Sequence, residues 1–319
     1  MSSVFAHVAR PAILAAGRSA GLRRTAERLP LTRRVVDRFV PGETTDDVLT
    51  AVAALRSSGR LVSVDYLGED VTDAAAADAT VAAYLGLLDA IPATAAGGPR
   101  PVEVSLKLSA LGQALERDGE KIALENAHAI CTRAREVGAW VTVDAEDHTT
   151  TDSTLSVVRE LRTDFPWLGT VLQAYLKRTE SDCREFAASG ARIRLCKGAY
   201  DEPAAVAYRD PGEVSANYLR CLQVLMAGNG YPMVASHDPA IIDAVPALVS
   251  RNNRGADDFE YQMLYGIRSD EQQRLARGGN HVRVYVPFGT QWYGYFVRRL
   301  AERPANLTFF LRALAERRN

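Results

Sequence analysis

Three charged residues, Lys107, Asp144 and Arg194, fall near the ends of short β-branched runs and share a strand face with other polar residues. In "VEVSLKLS" (102–109), Val102, Val104, Leu106 and Leu108 take one face, while Glu103, Ser105, Lys107 and Ser109 take the other. The same alternation sets Thr142 and Asp144 against Val141 and Val143, Arg192 and Arg194 against Ile193 and Leu195, and Arg283 and Tyr285 against Val282, Val284 and Val286. If both faces are covered, these charges need one another, water or a large polar ligand. Lysine is scarce, with only Lys107, Lys121, Lys177 and Lys197 beside 34 arginines, so a lysine in such a place is the more informative residue.

A second polar face lies in "YGYFVRRLAER" (293–303). On a helix, Tyr295, Arg298, Arg299 and Glu302 stand at i, i+3, i+4 and i+7, the spacing of a buried stripe. An exposed helix with ion pairs from the arginines to Glu302 would read much the same.

Three chemistries suit these residues. Asp144, Glu146 and His148 of "DAEDH", with His237, could bind a divalent metal, although their spacing is unspecific. Lys107 or Lys197 could form a Schiff base with a carbonyl substrate. A flavin would use an amide such as Gln173 at its ring edge and a cation such as Arg194 beside its reactive nitrogen.

Eight runs must position them: 61–68, 102–109, 140–147, 169–176, 191–198, 231–238, 258–266 and 281–289. Alanine- and leucine-rich helical stretches separate them, several ending in glycine, as in "KIALENAHAICTRAREVG". Eightfold alternation predicts an α/β fold, a parallel (β/α)8 barrel of the TIM type. An open doubly wound sheet is disfavoured, because no G-x-G-x-x-G or G-x-x-x-x-G-K-[ST] follows any strand. At 319 residues and 47% hydrophobic composition, the chain can bury a large core. Its net charge of −1 gives no global attraction to nucleic acid, and no apolar run is long enough to span a membrane. Four dispersed cysteines, Cys131, Cys183, Cys196 and Cys221, fit a reducing, cytoplasmic compartment. The first forty residues carry eight arginines against Glu27 and Asp37 and read as a helical arm leading into "GETTDDVLTAVAALRSSG", a helix with an N-cap signal. The expected division is an arm over 1–45 and a barrel over 46–319.

From about residue 45 onward the chain resembles monofunctional proline dehydrogenase, a flavoenzyme that also forms one domain of the bifunctional proline utilization proteins. The resemblance rests on "SLKLSALG", "VDAED", "QAYLKR", "IRLCKGAY", "ASHD", "YQMLYG" and "RVYVPFG" followed by "YFVRRLAE", in order and each at a predicted strand end or beyond the last. It implies a distorted barrel with the last helix over the mouth and FAD across the carboxyl ends of the strands. It also implies that Lys107, Tyr285, Arg298 and Arg299 bind L-proline. Arg194 would sit near flavin N5, with Asp144 ordering the charged cluster. Gln173 would meet the ring edge, and Lys197, Gly198, Ala199, Ser236 and His237 the ribityl and phosphate parts. Ala145, Leu264 and Glu302 would line the flavin or lid. Two departures stand out: Ser236 replaces the family's frequent threonine, keeping the hydroxyl, and Asp201 replaces an aromatic residue.

The implied reaction oxidises L-proline to 1-pyrroline-5-carboxylate, with electrons passing to a quinone and the product going to a separate pyrroline-5-carboxylate dehydrogenase. A cationic cluster of Lys107, Arg298 and Arg299 would favour the neutral amine by repulsion. The arginine-rich arm suggests peripheral contact with the inner face of the cell membrane. No metal is expected. The alternative is a metal-dependent or Schiff-base barrel enzyme acting on a small carboxylate.

Overall fold

In the computed structural model, residues 36–92 and 101–302 are described, with side chains described as far as Arg299 in the last helix. Eight parallel strands close into a barrel in sequence order: β1 (Leu61–Tyr66), β2 (Glu103–Leu106), β3 (Trp140–Val143), β4 (Gly169–Gln173), β5 (Arg192–Cys196), β6 (Tyr231–Ala235), β7 (Glu260–Leu264) and β8 (Val282–Phe288). Closure is by β1 on β8, where Ser63 pairs with Tyr285. The helices between them are α2 (Ala74–Ala90), α3 (Gly119–Val137), α4 (Thr151–Asp164), α5 (Thr179–Ala188), α6 (Pro211–Ala227), α7 (Pro239–Arg251) and α8 (Ser269–Arg277). Helix α1 (Thr45–Ser57) precedes the first strand and α9 (Trp292–Glu302) follows the last.

Local signals account for the helix ends. Thr44 and Asp47 form a reciprocal capping box at the start of α1, and Gly138, at φ 74°, ends α3 in the left-handed conformation that glycine adopts without strain. Every predicted strand is present, but each stops short of its run at the carboxyl end. The run 102–109 keeps only four residues in β2, and Lys107 begins a 3-10 turn over Leu108–Leu111. Alternation persists past the sheet because those residues face the barrel mouth, whereas strand pairing ends where the backbone turns toward the next helix.

The two faces of the sheet divide as the alternation predicts. Val62, Val64, Val104, Leu106, Val141, Val143, Ile193, Leu195, Val282, Val284 and Val286 are buried outward in the continuous apolar core beneath the helices. Inside lie Ser63, Asp65, Glu103, Ser105, Thr142, Arg192, Arg194, Glu260, Gln262 and Arg283, all buried. An ordinary barrel fills this space with branched aliphatics. Gly169 makes room for that polar filling, since a Cβ there would stand 2.7 Å from Thr142 Oγ1.

A separate apolar cluster covers the carboxyl end. Val36, Phe39 and Val40 pack with Leu67, Ile267 and the Trp292, Tyr293, Tyr295, Phe296 and Val297 side chains of α9. Of the expected arm, residues 1–35 lie outside the described residues. Among the described residues no helix is long and apolar enough to cross a membrane.

Candidate active site

The lower half of the barrel interior is filled by paired charges. Arg283, fully buried, donates from Nε and Nη2 to the Glu260 carboxylate at 2.7 and 3.1 Å and from Nη1 to the Val62 and Pro101 carbonyls. Arg192 donates to Glu103 and lies 3.9 Å over the Trp140 ring. Burial alone would raise the Glu103 carboxyl, but Arg192, Arg283 and Arg194 around it outweigh that and hold it well below the carboxylate range.

Arg194 joins this layer to the one above. Its Nη2 donates to Glu103 at 2.7 Å and Ser63 at 3.2 Å, its Nη1 to Asp144 at 2.6 Å and Ser105 at 2.8 Å, and its Nε to Gln262 at 2.6 Å. These bonds occupy all five guanidinium donors. A ligand at the strand ends therefore gains a donor from Arg194 only by exchange. Of the two carboxylates that hold it, Asp144 is the more exposed, at 12% against 0% for Glu103.

Asp144, just past β3, is the hub. It also accepts from Ser105 Oγ and Tyr285 Oη, each at 2.8 Å, and stands 3.7 Å from Lys107 Nζ. Lys107 donates to both Asp65 oxygens at 2.7 Å and reaches Tyr285 Oη at 3.4 Å. Burial pulls the ammonium down, but Asp65 and Asp144 outweigh it and hold Lys107 above the usual lysine range. Lys107 is thus a cation at neutral pH, the wrong state for a Schiff-base nucleophile.

The last helix brings its arginines to this cluster. Arg298 donates from both terminal nitrogens to Glu69, beyond β1, one bond being 3.0 Å long. Burial would lower the Arg298 guanidinium, but Glu69 and then Tyr200 outweigh it. Arg299 is 8% exposed, lies 4.9 Å over the Tyr295 ring, and acts electrostatically on Cys196 at the end of β5. The face is therefore buried toward the strand ends. The Glu302 side chain lies outside the described residues.

The remaining predicted residues form a second arc along the ends of β4 to β7. Gln173 Nε2 donates to the Glu146 carbonyl at 2.7 Å. Lys197 Nζ donates to Asp238 at 2.6 Å and Ser215 at 2.8 Å. Ser236 Oγ accepts from Asp238 N, and His237 Nε2 accepts from Leu264 N at 2.9 Å, which leaves the ring proton on Nδ1 in the neutral form. Gly198, at φ 104°, lies so close to Tyr175 that a Cβ would stand 2.2 Å from its ring. Ala145 and Ala199 are half-buried in the loops after β3 and β5. Among the described residues no three His, Cys, Asp or Glu side chains are grouped as metal ligands, and those of the metal alternative bond elsewhere, Asp144 to Arg194, Glu146 to Ser109, His148 to Glu202 and His237 to Leu264.

Sequence reasoning missed Asp65 and Glu69, the carboxylates that balance Lys107 and Arg298. The signal for Asp65 was present, because "LVSVD" alternates as the other strands do, with Ser63 and Asp65 inward. Glu69 lies in a loop, where no periodicity marks it. With both in place Lys107 and Arg298 each have a carboxylate partner, which offsets part of the repulsion expected from Lys107, Arg298 and Arg299. One recess, of about 760 Å³ between α3 and α4, lies on the barrel's flank, and another, of about 140 Å³, lies between Glu69, Tyr293 and Arg298 at the mouth.

Comparison with known proteins identifies the family and agrees with the barrel fold. The family profile described as "Proline dehydrogenase" matches residues 48–312. A proline dehydrogenase of Deinococcus radiodurans is 43% identical over 88% of this chain and 90% of its own length. Proline dehydrogenase 1 of Bacillus subtilis is 38% identical over 90% of this chain and 92% of its own. Among solved structures, proline utilization A from Bdellovibrio bacteriovorus, inactivated by N-propargylglycine, superposes with a TM-score of 0.76 at 26% identity, over 85% of this chain and 33% of that one. The chain thus spans about a third of that larger protein. With its closed barrel, its polar interior and relatives matched over most of both lengths, the chain belongs to the proline dehydrogenase family and is an enzyme of proline oxidation.

Proposed function

We propose that the chain oxidises L-proline to 1-pyrroline-5-carboxylate with FAD held across the carboxyl ends of the strands, a quinone as final acceptor and a separate dehydrogenase consuming the product. The observation that carries this reading is a pair of ionic clusters at the barrel mouth, Asp144 with Lys107 and Arg194, and Glu69 with Arg298 of α9, which together bring three cations to the strand ends. The donors fit a flavin dinucleotide: an amide at the end of β4, a cation on β5, a lysine after β5, and a hydroxyl and an imidazole after β6. Bound there, FAD would supply at N5 the acceptor for the hydride leaving proline C5.

The protein's own residues have definable tasks in this reading. Arg298 and Arg299 hold the substrate carboxylate, as adjacent guanidinium forks suit. Glu69 takes one donor from each terminal nitrogen of Arg298, two of the guanidinium's five, so the substrate carboxylate would share that guanidinium with Glu69. Lys107 and Tyr285 line the ring's other side, held by Asp65 and Asp144. Asp144 fixes Arg194, Tyr285 and Ser105 in one geometry, and α9 with its aromatic side chains limits water. The arginine-rich residues before 36 would supply any membrane contact.

The test is a purified holoenzyme titrated anaerobically with L-proline. Bleaching of a flavin absorption band, with 1-pyrroline-5-carboxylate trapped as product, is the expected result. A colourless protein that gains neither colour nor activity with added FAD would overturn the cofactor, and borohydride labelling of Lys107 would restore the Schiff-base alternative.

A further inference from the structure

Glu146 is a buried carboxylate, 8% exposed, that the proposed reaction does not use. Both its oxygens serve one residue: Oε1 accepts from Ser109 Oγ at 2.5 Å and Oε2 from Ser109 N at 3.1 Å. Ser109 in turn grips the loop after β1 on both sides of Asp70. Its Oγ accepts from Asp70 N at 3.1 Å and its carbonyl from Val71 N at 3.2 Å. Between these bonds Asp70 sits at φ 54°, a left-handed conformation that costs a non-glycine residue free energy and persists only where neighbours impose it. Glu69, the partner of Arg298, is the residue immediately before.

We infer that Glu146 is a positioning residue: through Ser109 it holds the strained turn at Asp70 and thereby sets Glu69 opposite Arg298, so that α9 closes over the mouth in one register. The chain of contacts runs from the β3 loop through the β2 loop and the β1 loop to α9, with each step a hydrogen bond given above. Burial, followed by the nearby Glu69 charge, pushes the Glu146 carboxyl up to about 7 against the Ser109 bonds and Lys107, as fits a group kept for its geometry in a site that disfavours its charge.

The inference rests on the proline reading only for its kinetic test. In the full-length holoenzyme, Glu146→Ala and Ser109→Ala should each raise KM for L-proline by about ten-fold with kcat within about two-fold, and Glu146→Gln, which keeps an acceptor for Ser109 N, should stay within about two-fold of wild type. In a Glu69→Ala background the same substitutions should change KM no further. An equal rise in that background, or a fall in kcat without a rise in KM, would overturn the inference. Amide hydrogen exchange at Asp70 and Val71 supplies a readout independent of proline: it should speed up at least ten-fold in Glu146→Ala and Ser109→Ala and remain slow in Glu146→Gln. Unchanged exchange in the two alanine variants sinks the latch, whatever the substrate. If wild type fails to oxidise proline while the exchange behaves as expected, the functional reading falls and the latch stands. Should Glu146→Ala not fold, Ser109→Ala carries both measurements.

Discussion

Two charged layers share the barrel interior, and the same strands build both. Glu103, Arg192, Glu260 and Arg283 fill the lower layer, while Asp65, Lys107, Asp144, Arg194 and Tyr285 form the upper one. On β5 the step from one to the other is two residues, Arg192 to Arg194. In the lower layer Arg283 and Glu260 are both 0% exposed and bond each other through two nitrogens and two oxygens, sealed from a ligand at the strand ends. In the upper layer some contacts are long, as between Lys107 and Asp144 at 3.7 Å, and Asp144 retains exposure. The lesson is that residue type does not separate structural from functional charge. Arg194 is as fully bonded as Arg283, so what separates the layers is access: the upper one carries Asp144, 12% exposed toward the strand ends, whereas Glu103 and Glu260 below are 0% exposed.

This contrast can be broken from below first. Glu260→Ala strands Arg283 in a fully buried site and should cost about 3 to 5 kcal/mol of stability, read by urea unfolding. If that variant keeps wild-type stability but loses proline binding, the lower layer is functional and the contrast fails. Glu146 sharpens the comparison because its cost is set by pH. Its carboxyl in the folded protein binds a proton more tightly than when unfolded, so its contribution to stability is fully present below about 4.5 and is lost as pH rises through about 7. Relative to wild type, Glu146→Gln should therefore gain on the order of 3 kcal/mol between pH 4.5 and 8. A stability difference independent of pH would show that the group does not titrate in this range.

Breaking the upper side should affect binding more than folding. Arg299→Lys keeps the charge and loses the fork, and should weaken L-proline and its unreactive ring analogue tetrahydrofuran-2-carboxylate by about ten- to a hundred-fold, or roughly 1.5 to 3 kcal/mol. The melting temperature should move little. Unchanged binding of both ligands would remove Arg299 from the carboxylate site. The smallest effect belongs outside both layers: Thr44→Ala removes the capping box of α1 and should cost about 1 kcal/mol with KM unchanged. A rise in KM there would mean that α1 is coupled to the mouth.

Much of this was legible in the chain itself. All eight strands could be read from β-branched alternation, and the inward direction of Lys107, Asp144, Arg194, Arg283 and Tyr285 followed from a period of two. The strand ends were less legible, since the alternation of "VEVSLKLS" runs on through a residue that caps a 3-10 turn. Partners were less legible still. Asp65 could have been found by applying to β1 the rule used on β2, but Glu69 and Glu146 lie in loops, where their pairing with Arg298 and Ser109 depends on how three loops meet.

By itself the sequence determined which residues face inward, where the helices begin and end, and that the barrel interior would be polar. These are local consequences of pleat, capping and covalent geometry. Only the tertiary structure decided that Arg283 and Glu260 neutralise each other, that Arg194 has no donor to spare, and that Arg298 is already held by Glu69. Barrel closure brings together charges far apart in the chain, such as Lys107 and Asp65 or Arg194 and Glu103, and the energy of a buried charge depends on the distance and solvent exposure of its partners.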